Sequence, residues 1–189
     1  MTTLTDYETP KGVPIELHRN RFLSVKFDGY HHYVDYNKYK SGVVVVARFP
    51  NGDYQMVRLQ RSPVFGVSLE LVRGGVETDE LPSEAVLREL LEETGYLANA
   101  TSLVHLGQVG GDTATINSLC DVFEATIDDS VPAAPFDEQE IQQPVRLSTQ
   151  DLHNALVGGG IKDGYTLAAL MLSMARSSNY VLTDCDQSR

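Results

Sequence analysis

The sequence predicts an α+β protein built on a mixed β-sheet, and three observations carry that expectation. Short aromatic and β-branched segments separated by turn residues recur from Phe22 to Ile127. One of them, "GVVVVARF" at 42–49, is apolar almost throughout, as a strand buried on both faces must be. Helical segments are few, and no run of alternating strand and helix is present that would build a doubly wound nucleotide-binding sheet.

Each element follows from local chemistry. Residues 1–20 are polar and punctuated by Pro10 and Pro14, which reads as a loosely held arm. "FLSVKFDGYHHYVDYNKYK" at 22–40 reads as a β-hairpin turning at Asp28-Gly29. The apolar strand, the turn "NGD" and the strand "YQMVRLQ" make a second hairpin over 42–60. "GVSLEL" is a short strand leading into Gly74 and Gly75, whose freedom in φ suits a tight loop. A helix spans 82–94, with proline in its first turn and Gly95 just past its end. "SLVHLGQV" and "SLCDVFEATI" are two further strands, and "DDSVPAAPFDEQEIQQP" is a loop. Ser148 and Asp151 cap a helix through Val157, which Gly158, Gly159 and Gly160 terminate; a last helix spans 163–175. The division is an N-terminal arm and hairpin element at 1–40, a main domain at 41–176 and a loose tail at 177–189.

Composition narrows the partners. A hydrophobic fraction of 42% in 189 residues is enough to bury one core. Fifteen basic against 26 acidic residues leave a net charge of −11, which argues against nucleic acid as a partner, because phosphate backbones are bound by Lys and Arg. An anionic small molecule fits if a divalent cation accompanies it. Cys120 and Cys185 show neither a disulfide framework nor zinc-ligand spacing. No signal peptide and no apolar stretch of ~18 residues is visible. The expectation is a cytoplasmic protein with no membrane contact.

The helix at 82–94 poses the functional question, because Glu89, Glu92 and Glu93 crowd a chain that is already acidic. At about 100° per residue the three share an arc of about 100°, with Leu87, Leu90, Leu91 and Thr94 on the opposite arc. Like charges on one face destabilise a helix unless something offsets them. Mg²⁺ prefers such oxygen donors and is usually shared with substrate phosphates. Arg88 is spaced to pair with Glu92 or with Glu84.

Gly74, Glu80 and "RELLEETGY" resemble the Nudix box, G-x5-E-x7-R-E-U-x-E-E-x-G-U with U apolar; Tyr96, at the final apolar place, is a mild departure. The resemblance implies an α/β/α sandwich around a mixed sheet and an enzyme that hydrolyses a nucleoside diphosphate linked to another group, using Mg²⁺ or Mn²⁺. It implies Glu89, Glu92 and Glu93 as metal ligands, with the carbonyl of Arg73 or Gly74. Arg88 would orient the acids, and Glu80 would support the loop or a further metal. The cation would neutralise the diphosphate and activate a water.

Outside the box the chain resembles the ADP-ribose and nucleotide-sugar pyrophosphatase branch. Arg61 and Glu70 match it and, with Arg73, are the implied substrate-binding residues; Val72 stands where that branch has proline and Asp79 where it has glycine. "IKDGYTLAALMLSMAR" is similar to its C-terminal helix, and the N-terminal β-element implies a homodimer. Gly110-Gly111-Asp112 replaces a Ser-Pro-Gly-like loop found in ADP-ribose enzymes. Glu138 and Glu140, in the loop before the last strand, are the candidates for a catalytic base. The substrate alternatives are a dinucleoside polyphosphate, coenzyme A or a capped RNA, and the non-enzymatic alternative is a nucleotide-sensing domain. His31 and His32 point to opposite faces of a strand and make no joint metal site.

Overall fold

The computed structural model describes residues 13–131, 133–136 and 141–177. A three-stranded antiparallel sheet comes first, made of β1 (Ile15–Arg19), β2 (Leu23–Phe27) and β3 (His32–Tyr36). The β2–β3 hairpin turns where its sequence says it should. Asp28 Oδ1 accepts the N–H groups of Tyr30 and His31 at 2.9 and 2.7 Å, and Gly29 takes φ 96°. β1 corrects the reading of residues 1–20 as an arm, since Ile15–Arg19 pairs with β2. Asn20 makes this possible by accepting the N–H groups of Phe22 and Leu23, which folds the chain back onto itself. Residues 1–12 and 178–189 lie outside the described residues.

The main sheet has the order β10-β5-β4-β9-β8, with β4 (Gly42–Arg48) and β9 (Cys120–Thr126) parallel and the other pairs antiparallel. β4 and β5 (Tyr54–Gln60) pair only beside their turn, at Ala47↔Gln55 and Arg48↔Tyr54, and then splay apart. The following chain fills the wedge: β6 (Val67–Glu70) lies on β5 and β7 (Val72–Gly75) on β4. This corrects the expected single strand and glycine loop, because Gly74 and Gly75 are β7 residues paired with Val43 and Gly42. Leu71 stands at the crossing, and its N–H donates to Thr166 Oγ1 at 3.0 Å. β8 (Val104–Val109) forms one edge and β10 (Ile141–Leu147) the other. β10 begins inside the segment expected to be loop; an edge strand accommodates Pro144, which has no N–H to give.

Alternation along β4 sorts the two sides of the sandwich. Val43, Val45 and Ala47 meet Ala85, Val86 and Leu90 of α1 (Pro82–Thr94) on one face. Val44 and Val46 meet Leu152 of α2 (Thr149–Val157) and Ala169 and Leu170 of α3 (Gly164–Arg176) on the other. Burying each such Leu contributes about 1.5–3 kcal/mol, so α1 is held as firmly by its seam as by its caps. The seam departs from expectation at Leu91, which is half-buried while Ala85 and Val86 are fully covered. Gly95 closes α1 at φ 73°, its N–H on the Leu91 carbonyl. The two sheets meet where Val34 N–H donates to the Thr115 carbonyl at 2.7 Å and Asn117 N–H to the Val34 carbonyl at 2.9 Å.

Candidate active site

Arg88, on α1, organises the loop at residues 76–81. Its guanidinium donates to both carboxylate oxygens of Glu80 at 2.8 and 2.9 Å, to the Gly75 carbonyl at 2.9 Å, to Glu89 at 2.8 Å and to Glu92 at 3.0 Å. The five N–H donors of the planar Arg fork serve three carboxylates and a carbonyl at once, more bonds than the three donors of Lys could make. These bonds hold its pKa well above the usual arginine value, the Glu80 pairing contributing most. Glu80 in turn accepts the Glu77 N–H at 3.1 Å, which makes it the support of the loop. Of the two spacings expected for Arg88, Glu92 is used and Glu84 is not. Glu84 reaches back to the Leu81 N–H at 2.9 Å and caps the helix instead.

The three acids of α1 occupy different environments. Glu92 is half exposed. Glu89 lies over Gly74, where a Cβ would fall 1.9 Å from its carboxyl carbon, so any side chain at 74 would push that carboxylate out of place. Burial raises the Glu89 pKa, even with Arg88 beside it. Glu93 is more deeply placed; burial, with the Glu89 charge adding to it, pushes its pKa up to about 8. The charges of Arg61 and Arg73 pull the other way without prevailing, and Oε2 is buried with no hydrogen-bond partner.

Across from Glu93 stands a second charged group built from β5, β6, β7 and α3. Arg61 makes a two-point contact with Glu70 at 2.9 and 2.6 Å, and Arg73 Nε reaches the same carboxylate at 3.0 Å. Arg73 extends to Asp163 at 3.4 Å, and its guanidinium stands 5.4 Å over the Tyr165 ring. Glu70 is 2% exposed; burial would raise its pKa, but the Arg61 hydrogen bonds and the charges of Arg73 and Arg61 outweigh it and hold the group at about 2. Asp163 caps α3, accepting the N–H and hydroxyl of Thr166 at 2.8 Å each, and Thr166 passes the link to Leu71. Arg61, Ser62, Phe65, Ser68, Glu70, Arg73, Asp163 and Gly164 line a cavity of about 280 Å³ here.

The structure therefore brings together Arg61, Glu70, Arg73, Gly74, Glu89 and Glu93, with Arg88 holding Glu92 alongside. Glu138 and Glu140 lie outside the described residues. Asp163, Tyr165 and Thr166 were missed as site residues, although "DGYT" at a helix start carries the capping signal that would have flagged Asp163. Among the described residues no group of three His, Cys, Asp or Glu side chains is placed to hold a metal ion. The donor set nonetheless suits a hard cation: a buried carboxylate oxygen of Glu93 without a partner, and the carboxylate of Glu89 seated on a glycine.

Comparisons with known proteins bear on the family and the fold. A model of the NUDIX domain matches residues 38–170. A GDP-mannose pyrophosphatase from Yersinia enterocolitica (serotype O:8 / biotype 1B) is 27% identical over 143 residues, 71% of this chain and 73% of that protein. The crystal structure of an ADP compounds hydrolase covers 87% of this chain and 91% of its own at TM-score 0.69 and 18% identity, a likeness of fold.

Proposed function

Because the chain belongs to the NUDIX domain family, we propose that it is a pyrophosphohydrolase that adds water across the diphosphate of a nucleotide sugar or of ADP-ribose, releasing a nucleoside monophosphate. The carrying observation is that the Arg61 and Arg73 guanidiniums share one site with the buried carboxylates Glu89 and Glu93. A diphosphate is the ligand that answers both charges, accepting hydrogen bonds from the arginines and sharing a divalent cation with the acids.

We assign Glu89, Glu92 and Glu93, with the Gly74 carbonyl, to hold Mg²⁺ or Mn²⁺. Bound there, the cation would neutralise the diphosphate and lower the pKa of the attacking water. Arg88 keeps Glu89 and Glu92 in place, and Glu70 aims both arginine forks into the cavity. Glu138 or Glu140 serves as the base in this scheme. The proposal includes a division at residues 40 and 176, a homodimer joined through the N-terminal sheet and a cytoplasmic location. A nucleotide sugar is favoured over coenzyme A, dinucleoside polyphosphates and capped RNA because the curated relative is a GDP-mannose pyrophosphatase. Purified protein incubated with Mg²⁺ or Mn²⁺ against GDP-mannose, ADP-ribose and other nucleoside-diphosphate derivatives should release a monophosphate from at least one. No release from any of them would overturn the assignment.

A further inference from the structure

The cavity beside Arg61 does not end in charge. At its rim stands Phe65, 60% exposed, in an apolar tip that also shows Val64 at 88% and Val67 at 56%. Exposing three apolar side chains next to a charged cavity costs solvation free energy with no packing in return, so the tip calls for a ligand. The turn that carries it is firmly built. Arg61 N–H donates to the Gly66 carbonyl at 2.9 Å, and the N–H groups of Phe65 and Gly66 both reach the Ser62 carbonyl, at 3.0 and 2.9 Å. Gly66 takes φ 61°, which closes the turn and fixes where the ring stands.

We propose that Phe65 is the stacking platform for the substrate's nucleobase, with the diphosphate held inward by Arg61 and Arg73. A cavity of about 280 Å³ is small for a whole nucleotide sugar, so part of the ligand must lie over its rim. A flat base gains from an aromatic face and tolerates an apolar surround, whereas a hydroxyl-rich sugar would lose hydration there. A rigid ring also loses little entropy on binding. Ser62 and Ser68 share the cavity wall, and the Ser62 hydroxyl is placed to meet the ribose.

This inference rests on the pyrophosphohydrolase reading, and one set of measurements separates the two. Calorimetry with Mg²⁺ present compares AMP, GMP and ribose 5-phosphate binding to the wild type, Phe65→Leu and Phe65→Tyr. Phe65→Leu should weaken AMP and GMP about tenfold and leave ribose 5-phosphate unchanged, and Phe65→Tyr, which keeps the flat ring, should stay near wild type. The platform is overturned if the wild type binds neither mononucleotide, if Phe65→Leu binds them normally, or if it loses ribose 5-phosphate equally. It is also overturned if sedimentation shows that Phe65→Leu changes the oligomeric state while mononucleotide affinity is intact, which would make the tip a contact between copies. Absence of turnover by the wild type would remove the enzymatic reading. Turnover with Phe65-independent AMP affinity would remove only the platform.

Discussion

Glu70 and Glu93 are both buried carboxyls, yet their surroundings drive them in opposite directions. Glu70 is clasped by two guanidiniums and stays ionised to about pH 2; Glu93 has a carboxylate neighbour and an unpartnered oxygen, and is raised to about 8. The two assignments give different tests. Since the Glu70 pKa is lower folded than unfolded, its contribution to stability is complete above about pH 4.5 and is lost as pH falls toward 2. The loss should be on the order of 3 kcal/mol, and Glu70→Gln should flatten the acid limb of a stability–pH curve measured by urea unfolding. Glu93→Gln should instead leave the fold standing and cut kcat a hundredfold or more, the scale of losing one strong electrostatic stabiliser at ~2.7–4 kcal/mol. Normal turnover in that variant would exclude Glu93 from the chemistry.

At the scale of elements, two links fix the site: Arg88 ties α1 to the loop before it, and Thr166 ties α3 to the β6–β7 crossing. Lysine at 88 keeps the charge but cannot contact Glu80 twice while also reaching the Gly75 carbonyl and Glu92. Arg88→Lys should therefore cost about 1–2 kcal/mol and lower kcat, and a circular-dichroism melt with parallel kinetics reads both. Retention of wild-type values would show that charge alone suffices. Thr166 is fully buried, and its hydroxyl serves Leu71 and Asp163 together. Valine there strands the Leu71 N–H, so Thr166→Val should lose about 1–3 kcal/mol while Thr166→Ser stays close to wild type. Equal melting temperatures for the two would mean the hydroxyl bridge is not what holds α3.

For the whole molecule, the metal site proposed on the crowded acids of α1 would couple metal binding to folding. Mg²⁺ at a hundredfold excess over Kd should stabilise the native state by about 2.7 kcal/mol, seen as a rise in Tm that Glu93→Gln largely abolishes. An identical rise in both proteins would place the cation elsewhere. The chain by itself determined much of this: α1 from its proline start and Gly95 stop, β4 from its apolar run, and the acid cluster from residues four positions apart or fewer. Those features rest on local periodicity and capping, which neighbouring residues alone decide. Only tertiary structure decided that Gly74 and Gly75 are strand residues, because the splay between β4 and β5 is what opens a place for β7. It also decided that Asp163, 90 positions along the chain from Arg73, completes the charged wall. Burial then set Glu93 and Glu70 apart, since desolvation depends on what the rest of the chain packs around a carboxyl, and no local pattern in the sequence encodes that.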